Sequence, residues 1–276
     1  AAVTTALTGV SGFETLNLLG AMTGTDTVTT ADISSDIARV NVSSVTAGTG
    51  LTLNMGSSAT VGLNVAAAVS AGDTLTVDAA GSGTADSLTI TNMLTTGQMA
   101  SATSDIVTTD FETVTINTGS YATAADQLIG VVNVGTSGNL VLTGANDLTT
   151  AAADATVALT INASGMTGAL NMGVAAAAGV TTITGGSGGD TLVGDAASTI
   201  SGGAGNDTLT GGAGADTIDG GAGTDVYATN AAMTAANIEG AGTGTSTGVA
   251  VNLSAAAVTG AFILSKTGEY LSSGQS

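Results

Sequence analysis

Gly202-Gly-Ala-Gly-Asn-Asp-Thr-Leu-Thr210, Gly211-Gly-Ala-Gly-Ala-Asp-Thr-Ile-Asp219 and Gly220-Gly-Ala-Gly-Thr-Asp-Val-Tyr-Ala228 are three consecutive versions of one nine-residue phrase. A fourth, Gly185-Gly-Ser-Gly-Gly-Asp-Thr-Leu-Val193, stands just upstream. The shared pattern is G-G-x-G-x-D-x-U-x, with U a large apolar residue. Between the first version and the rest lies a damaged eight-residue copy, Gly194 to Ser201, which keeps Ile200 but has no Asp at position six.

Such a phrase reads as a tight turn of six residues followed by a strand of three. Glycine allows positive φ without a Cβ clash and turns main-chain carbonyls inward. Calcium takes six to eight oxygens, and carbonyls plus carboxylates suit it. A calcium-free Gly/Asp linker is the competing reading. Flexible linkers do not hold Leu192, Ile200, Leu209, Ile218 and Tyr227 on a steady step of eight or nine.

The phrase resembles the glycine-rich repeats-in-toxin (RTX) family, a parallel β-roll with calcium between its turns. In that roll one full coil takes two repeats, so turn n stacks on turn n+2. The resemblance therefore pairs Asp190 with Asp207 and Asp207 with Asp225. It implies metal ligation by those carboxylates and Asp216, with backbone groups of Gly185, Ser187, Gly202, Gly203, Ala204, Gly205, Gly211, Ala213, Gly220, Gly221, Ala222 and Gly223. The Asp216 turn should stack on the damaged copy, where Asp195 is out of register, so a weak or empty site is expected there. Asp219, last in its strand, is not expected to be a ligand.

Composition bounds the function. The 276 residues carry 21 acidic side chains against two basic ones, Arg39 and Lys266, for a formal charge of −19. Nothing here neutralises a phosphate backbone or favours bare anionic lipid. The balance suits divalent cations, and Asp also suits turns, where it bonds its own backbone. Cysteine and histidine are both absent, so disulfides, thiolate metal sites and Ser-His-Asp, Cys-His or H-E-x-x-H constellations are excluded. We expect no enzymatic activity. No apolar run approaches a membrane span of about 20 residues; Val65 to Val69 is typical. No basic, apolar signal peptide heads the chain, which begins Ala1-Ala-Val-Thr without Met; a fragment or processed product is expected.

Upstream of residue 185 a looser period appears. Apolar-x-apolar pairs begin at Leu16, Val40, Leu51, Leu63, Leu75, Leu88 and Val114, several of them about twelve residues apart. They read as short strands separated by tight turns. Asn recurs inside such pairs at Asn17, Asn41, Asn64, Asn133 and Asn171. It either stacks between coils or, as we favour, lies on the outer face. Gly12-Phe-Glu-Thr-Leu-Asn-Leu18 is echoed by Asp110-Phe-Glu-Thr-Val-Thr-Ile116. This unit looks like segments common in large RTX-bearing surface proteins. Glu14 and Glu112 are expected to cap turns rather than bind calcium. Thr23 to Val28 and Gly81 to Leu88 resemble decayed GGxGxD turns, which makes Asp26, Asp73 and Asp86 second-rank calcium ligands.

The expected architecture is all-β: a parallel β-solenoid or β-helix over 1–184, the calcium-binding RTX β-roll over 185–228, and a C-terminal cap or flank over 229–276. Short helices are expected at 31–38, 94–103 and 231–239. An antiparallel sandwich would also give strands at this spacing. In the family a C-terminal segment carries a type I secretion signal, to which Ser272-Ser-Gly-Gln-Ser276 is not a clear match. A roll attached to further Thr- and Ala-rich repeat looks like a secreted, self-assembling bacterial surface-layer (S-layer) protein. Its expected partners are calcium, further copies of itself in a two-dimensional lattice, and a cell-surface polysaccharide reached through a region outside this chain. An adhesin, or the noncatalytic tail of a secreted protease or lipase, is the alternative.

Overall fold

The computed structural model describes residues 12, 14–22, 26–30, 37–45, 50–56, 58–63, 69–79, 85–93, 98, 100–119, 126–135, 138–177, 181–195, 198–211, 214–228, 233–239, 248–252 and 263–265. Every strand pairing among them is parallel, which disposes of the antiparallel sandwich. Odd-numbered strands form one sheet. In order it runs β1 (Thr15–Met22), β3 (Arg39–Val45), β5 (Ser58–Leu63), β7 (Ser87–Asn92), β9 (Thr113–Asn117), β11 (Asn139–Gly144), β13 (Thr160–Met166), β15 (Thr181–Thr184), β17 (Ser198–Ser201), β19 (Gly214–Asp219), β21 (Met233–Glu239), β23 (Ile263–Ser265). Even-numbered strands form the other: β2 (Asp26–Thr29), β4 (Gly50–Met55), β6 (Thr74–Ala79), β8 (Asp105–Thr109), β10 (Gln127–Asn133), β12 (Leu148–Ala155), β14 (Leu170–Ala177), β16 (Thr191–Val193), β18 (Thr208–Thr210), β20 (Thr224–Ala228), β22 (Gly248–Asn252). Each coil thus contributes one strand to each sheet, and the sheets run without interruption past residue 185.

Alternation makes the core. In β4, β6 and β7 every second residue is buried: Leu51, Leu53, Met55; Leu75, Val77, Ala79; Leu88, Ile90, Asn92. A strand of three to eight residues cannot bury a core by itself. Stacked coils give a continuous one, as in other repeat architectures. Leu192, Ile200, Leu209 and Ile218 continue it through the glycine-rich region. The twelve-residue step upstream is therefore half a coil. One reading shifts: at β5 the core residues are Ala59, Val61 and Leu63, so the pair beginning at Leu63 marks the strand's end.

The helix expectations are corrected where the residues are described. The stretch 231–239 carries strand β21, which pairs with β19. Residues 37–38 are non-helical, and residues 102–103 form a turn; 31–36 and 94–97 lie outside the described residues. Asn side chains do both things weighed above. Asn41 Nδ2 donates to Asn17 Oδ1 at 2.7 Å across stacked coils, and Asn171 is exposed. The Phe-Glu-Thr echo has a backbone cause. Gly12 and Asp110 hold φ of 87° and 60°, so each opens its unit with a left-handed residue, a conformation Asp tolerates better than most. Glu112 then accepts the Asp86 N–H through Oε2, a turn cap. Among the described residues no helix is long and apolar enough to cross a membrane.

Candidate metal centre

The turns of the roll stack with the n, n+2 spacing. Thr191 pairs with Thr208 and Thr208 with Val226, steps of 17 and 18 residues. Asp190, Asp207 and Asp225, each at or beside a strand start in one sheet, fall in a single file along the solenoid axis. All three are about 1 % exposed. Asp216 sits in the other file, where Thr199 pairs with Thr217, so its stacked neighbour is Ser198. Asp195 is in neither file.

Asp207, Asp216 and Asp225 each use Oδ1 as a backbone cap, and Asp190 uses both of its oxygens. Asp207 Oδ1 accepts the Asp190 N–H at 2.8 Å, and Asp225 Oδ1 accepts the Asp207 N–H at 3.1 Å. Asp190 accepts from Leu170 at 2.8 Å and from Gly186 at 2.7 Å. Asp216 Oδ1 accepts the Ser198 N–H at 2.8 Å, so the damaged copy still gives Asp216 a partner. Sequence reasoning missed this capping role. It also missed Asp105 and Asp147, which accept from Val131 and Ala169 of the next coil. The available signal was position, because Asp105, Asp147, Asp190 and Asp207 stand at or directly before a strand start.

The second oxygen is the informative one. Asp207 Oδ2 is buried and has no hydrogen-bond donor among the described residues. A Cβ built on Gly202 would lie 2.3 Å from Asp207 Oδ2 and 2.6 Å from the Gly220 carbonyl oxygen. At Gly185 the same test meets the Gly202 carbonyl at 2.1 Å and Asp190 Oδ2 at 2.5 Å. At the head of these two repeats, then, a carboxylate oxygen of that repeat and a carbonyl of the repeat two along converge on one point. Those distances show how tightly the coils pack at glycine, and the groups packed there are oxygens, the donor type calcium takes. Among the described residues no three acidic side chains come together, so a coordination shell here would draw on carbonyls and water as well as carboxylates.

The other predicted ligand positions line the same turns. Gly203, Gly205, Gly221 and Gly223 all have positive φ. Ala204 N donates to Gly186 O, Ala222 N to Gly203 O and Gly205 N to Ala222 O, at 2.8–2.9 Å. These bonds lock turn to turn, and each accepting carbonyl keeps a second lone pair. Ser187 is exposed and donates its N–H to Met166 O. Gly211 faces Asp216, at 2.5 Å from Oδ2 by the same Cβ test. Ala213 lies outside the described residues. Asp219 Oδ1 accepts the Gly221 N–H, a local turn contact. Asn206, not singled out by sequence, stitches two turns by accepting the Thr224 N–H at 2.8 Å. The second-rank Asp26, Asp73 and Asp86 are buried, at strand starts far upstream of this file.

Electrostatics fits an ion in the file. Burial pushes Asp207 up to about 7; the Asp190 N–H opposes this, and the charges of Asp190 and Asp225 add to it. Burial also raises Asp190, against hydrogen bonds from Leu170 and Gly186, and raises Asp225, against the bond from Asp207. Ionised together, the file is self-repelling, and a divalent cation relieves that repulsion.

The family model for the RTX calcium-binding nonapeptide repeat matches in four copies, over residues 177–198 and 194–227. The chain thus carries calcium-binding RTX repeats, and calcium is the ion they take. No curated protein and no solved structure matches the chain.

Proposed function

We propose that this chain is a secreted structural protein of the cell surface, of the S-layer kind, without catalytic activity, whose folding and lattice assembly extracellular calcium drives. The observation that carries this reading is the continuity of the two sheets. The calcium-binding turns are the same solenoid as the Thr- and Ala-rich remainder, rather than an appendage to a differently built body. Calcium has two tasks in this reading. It first neutralises the Asp190–Asp207–Asp225 file, so that the turns close. It then offsets enough of the −19 charge for copies to approach. Extracellular calcium at millimolar levels meets or exceeds the ~10⁻⁴–10⁻³ M dissociation constants typical of extracellular sites, whereas cytosolic calcium does not. Export before folding follows from that difference.

The test is light scattering and electron microscopy with millimolar calcium, magnesium or chelator at equal ionic strength. A two-dimensional lattice in calcium alone is expected, because magnesium holds its waters and demands octahedral geometry. Equal assembly in magnesium would reduce the effect to charge screening. Isolated rods in calcium would favour the adhesin or enzyme-tail alternative.

A further inference from the structure

On the outer face of the odd-numbered sheet, near its β1 end, one cation is held rigidly. Arg39 Nε donates to Asn41 Oδ1 at 3.0 Å, and Arg39 Nη2 lies 3.2 Å from Met93 Sδ. Asn41 is itself tied to Asn17. Gly62 makes the arrangement possible: a Cβ there would lie 2.3 Å from Met93 Sδ and 2.4 Å from Asn41 Oδ1. The guanidinium is thus laid across three strands with its orientation fixed. Arg39 is the sole arginine of the chain, and its Nη1 has no hydrogen-bond partner among the described residues. Two large apolar side chains share this face, Leu19 at 79 % exposure on β1 and Met93 at 38 %.

We propose that this patch is a contact between copies of the chain, in which the Arg39 guanidinium receives a carboxylate of a second copy. The inference rests on the self-assembly reading above and names where one of its contacts lies. Charge complementarity selects the occupant, because the chain offers 21 carboxylates and only two cations. Two such surfaces repel almost everywhere, and a fixed, half-buried arginine is a place where a neighbour's Asp or Glu meets attraction. Arginine and methionine are also among the residues enriched in interface cores. A guanidinium already oriented loses little freedom on accepting a carboxylate in bidentate fashion.

Because Arg39 is the only arginine, phenylglyoxal labelling of the native protein, located by peptide mapping, reports on that side chain. The measurement keeps calcium constant and varies protein concentration from dilute to assembling. Protection of Arg39 on assembly is expected; equal labelling in both states would overturn the contact while leaving assembly intact. Sedimentation velocity in calcium then compares Arg39→Gln and Leu19→Ser with the parent protein, after circular dichroism has confirmed the fold. Each variant should weaken self-association, Arg39→Gln by about 30-fold, as for a central interface residue. Leu19 is too exposed for its replacement to unfold the chain. Unchanged association in both variants overturns the proposal. A parent protein that stays monomeric in calcium overturns the self-assembly reading and this contact with it.

Discussion

Asp207 occupies the middle of its file, and its two oxygens have separate tasks. One caps Asp190, and the other faces the Gly202 turn. Asp216 caps Ser198 in the same way but has a serine in place of a second aspartate. Asp207→Ala and Asp216→Ala should therefore cost similar calcium-free stability, about 1–3 kcal/mol for an orphaned buried N–H. Only Asp207→Ala should also shift the calcium midpoint strongly, by tenfold or more. Asp207→Asn should retain the cap and lose the ion, and coincident calcium titrations for the two alanine variants would contradict this assignment. Acidity gives a second test. In the calcium-free roll Asp207 titrates at about 7, above its unfolded value near 4. The folded state then binds more protons than the unfolded chain between those values, so the calcium-free fold gains stability as pH falls through that window. Calcium requires the carboxylate, so its midpoint should rise as pH falls below about 7, by up to about tenfold per pH unit. Calorimetric titrations at a series of pH values check this, and a flat midpoint across the window would rule it out.

At the scale of the element, the turn depends on glycine where coils touch. Gly223 has φ of 140°, and a Cβ there would sit 1.6 Å from the Gly205 carbonyl oxygen. Gly223→Ala should destabilise the roll by more than about 2 kcal/mol through strain and a forced separation of coils. Gly56→Ala, with ordinary φ and nothing within 4 Å, should be neutral to within about 0.5 kcal/mol in thermal unfolding. These turns were legible in sequence because glycine and aspartate recur with a fixed period. The upstream strands were legible for a weaker reason, since Leu51-x-Leu53 and Leu75-x-Val77 alternate. What sequence did not show is contextual. Met233 to Glu239 contains helix-forming alanines and reads as a helix, yet it lies against the edge of β19 and completes the ladder from Gly214 to Asp219. Pairing overrode local preference there. Likewise, standing at a strand start marks an aspartate as a cap but does not tell which neighbouring coil it caps: Asp207 caps the coil behind, Asp105 the coil ahead.

For the whole molecule, coils touch only their neighbours, so stability is nearly a sum of local and nearest-neighbour contributions. Calcium should then act over a limited range. Hydrogen exchange with and without calcium is expected to show protection concentrated over 181–228, fading within the adjoining coils and absent over 51–117. Uniform protection of the whole chain would instead mean one cooperative body. The alternation of strands between two sheets also governs which changes in length the gene can tolerate. Loss of nine codons, such as those for 211–219, preserves the reading frame but hands Thr224–Ala228 to the opposite sheet and sets Asp225 over Ser198. Loss of eighteen, such as those for 202–219, returns Asp225 to the file, over Asp190. Replication slippage should thus be filtered by parity: loss of an even number of repeats keeps the register of the file, and loss of an odd number breaks it.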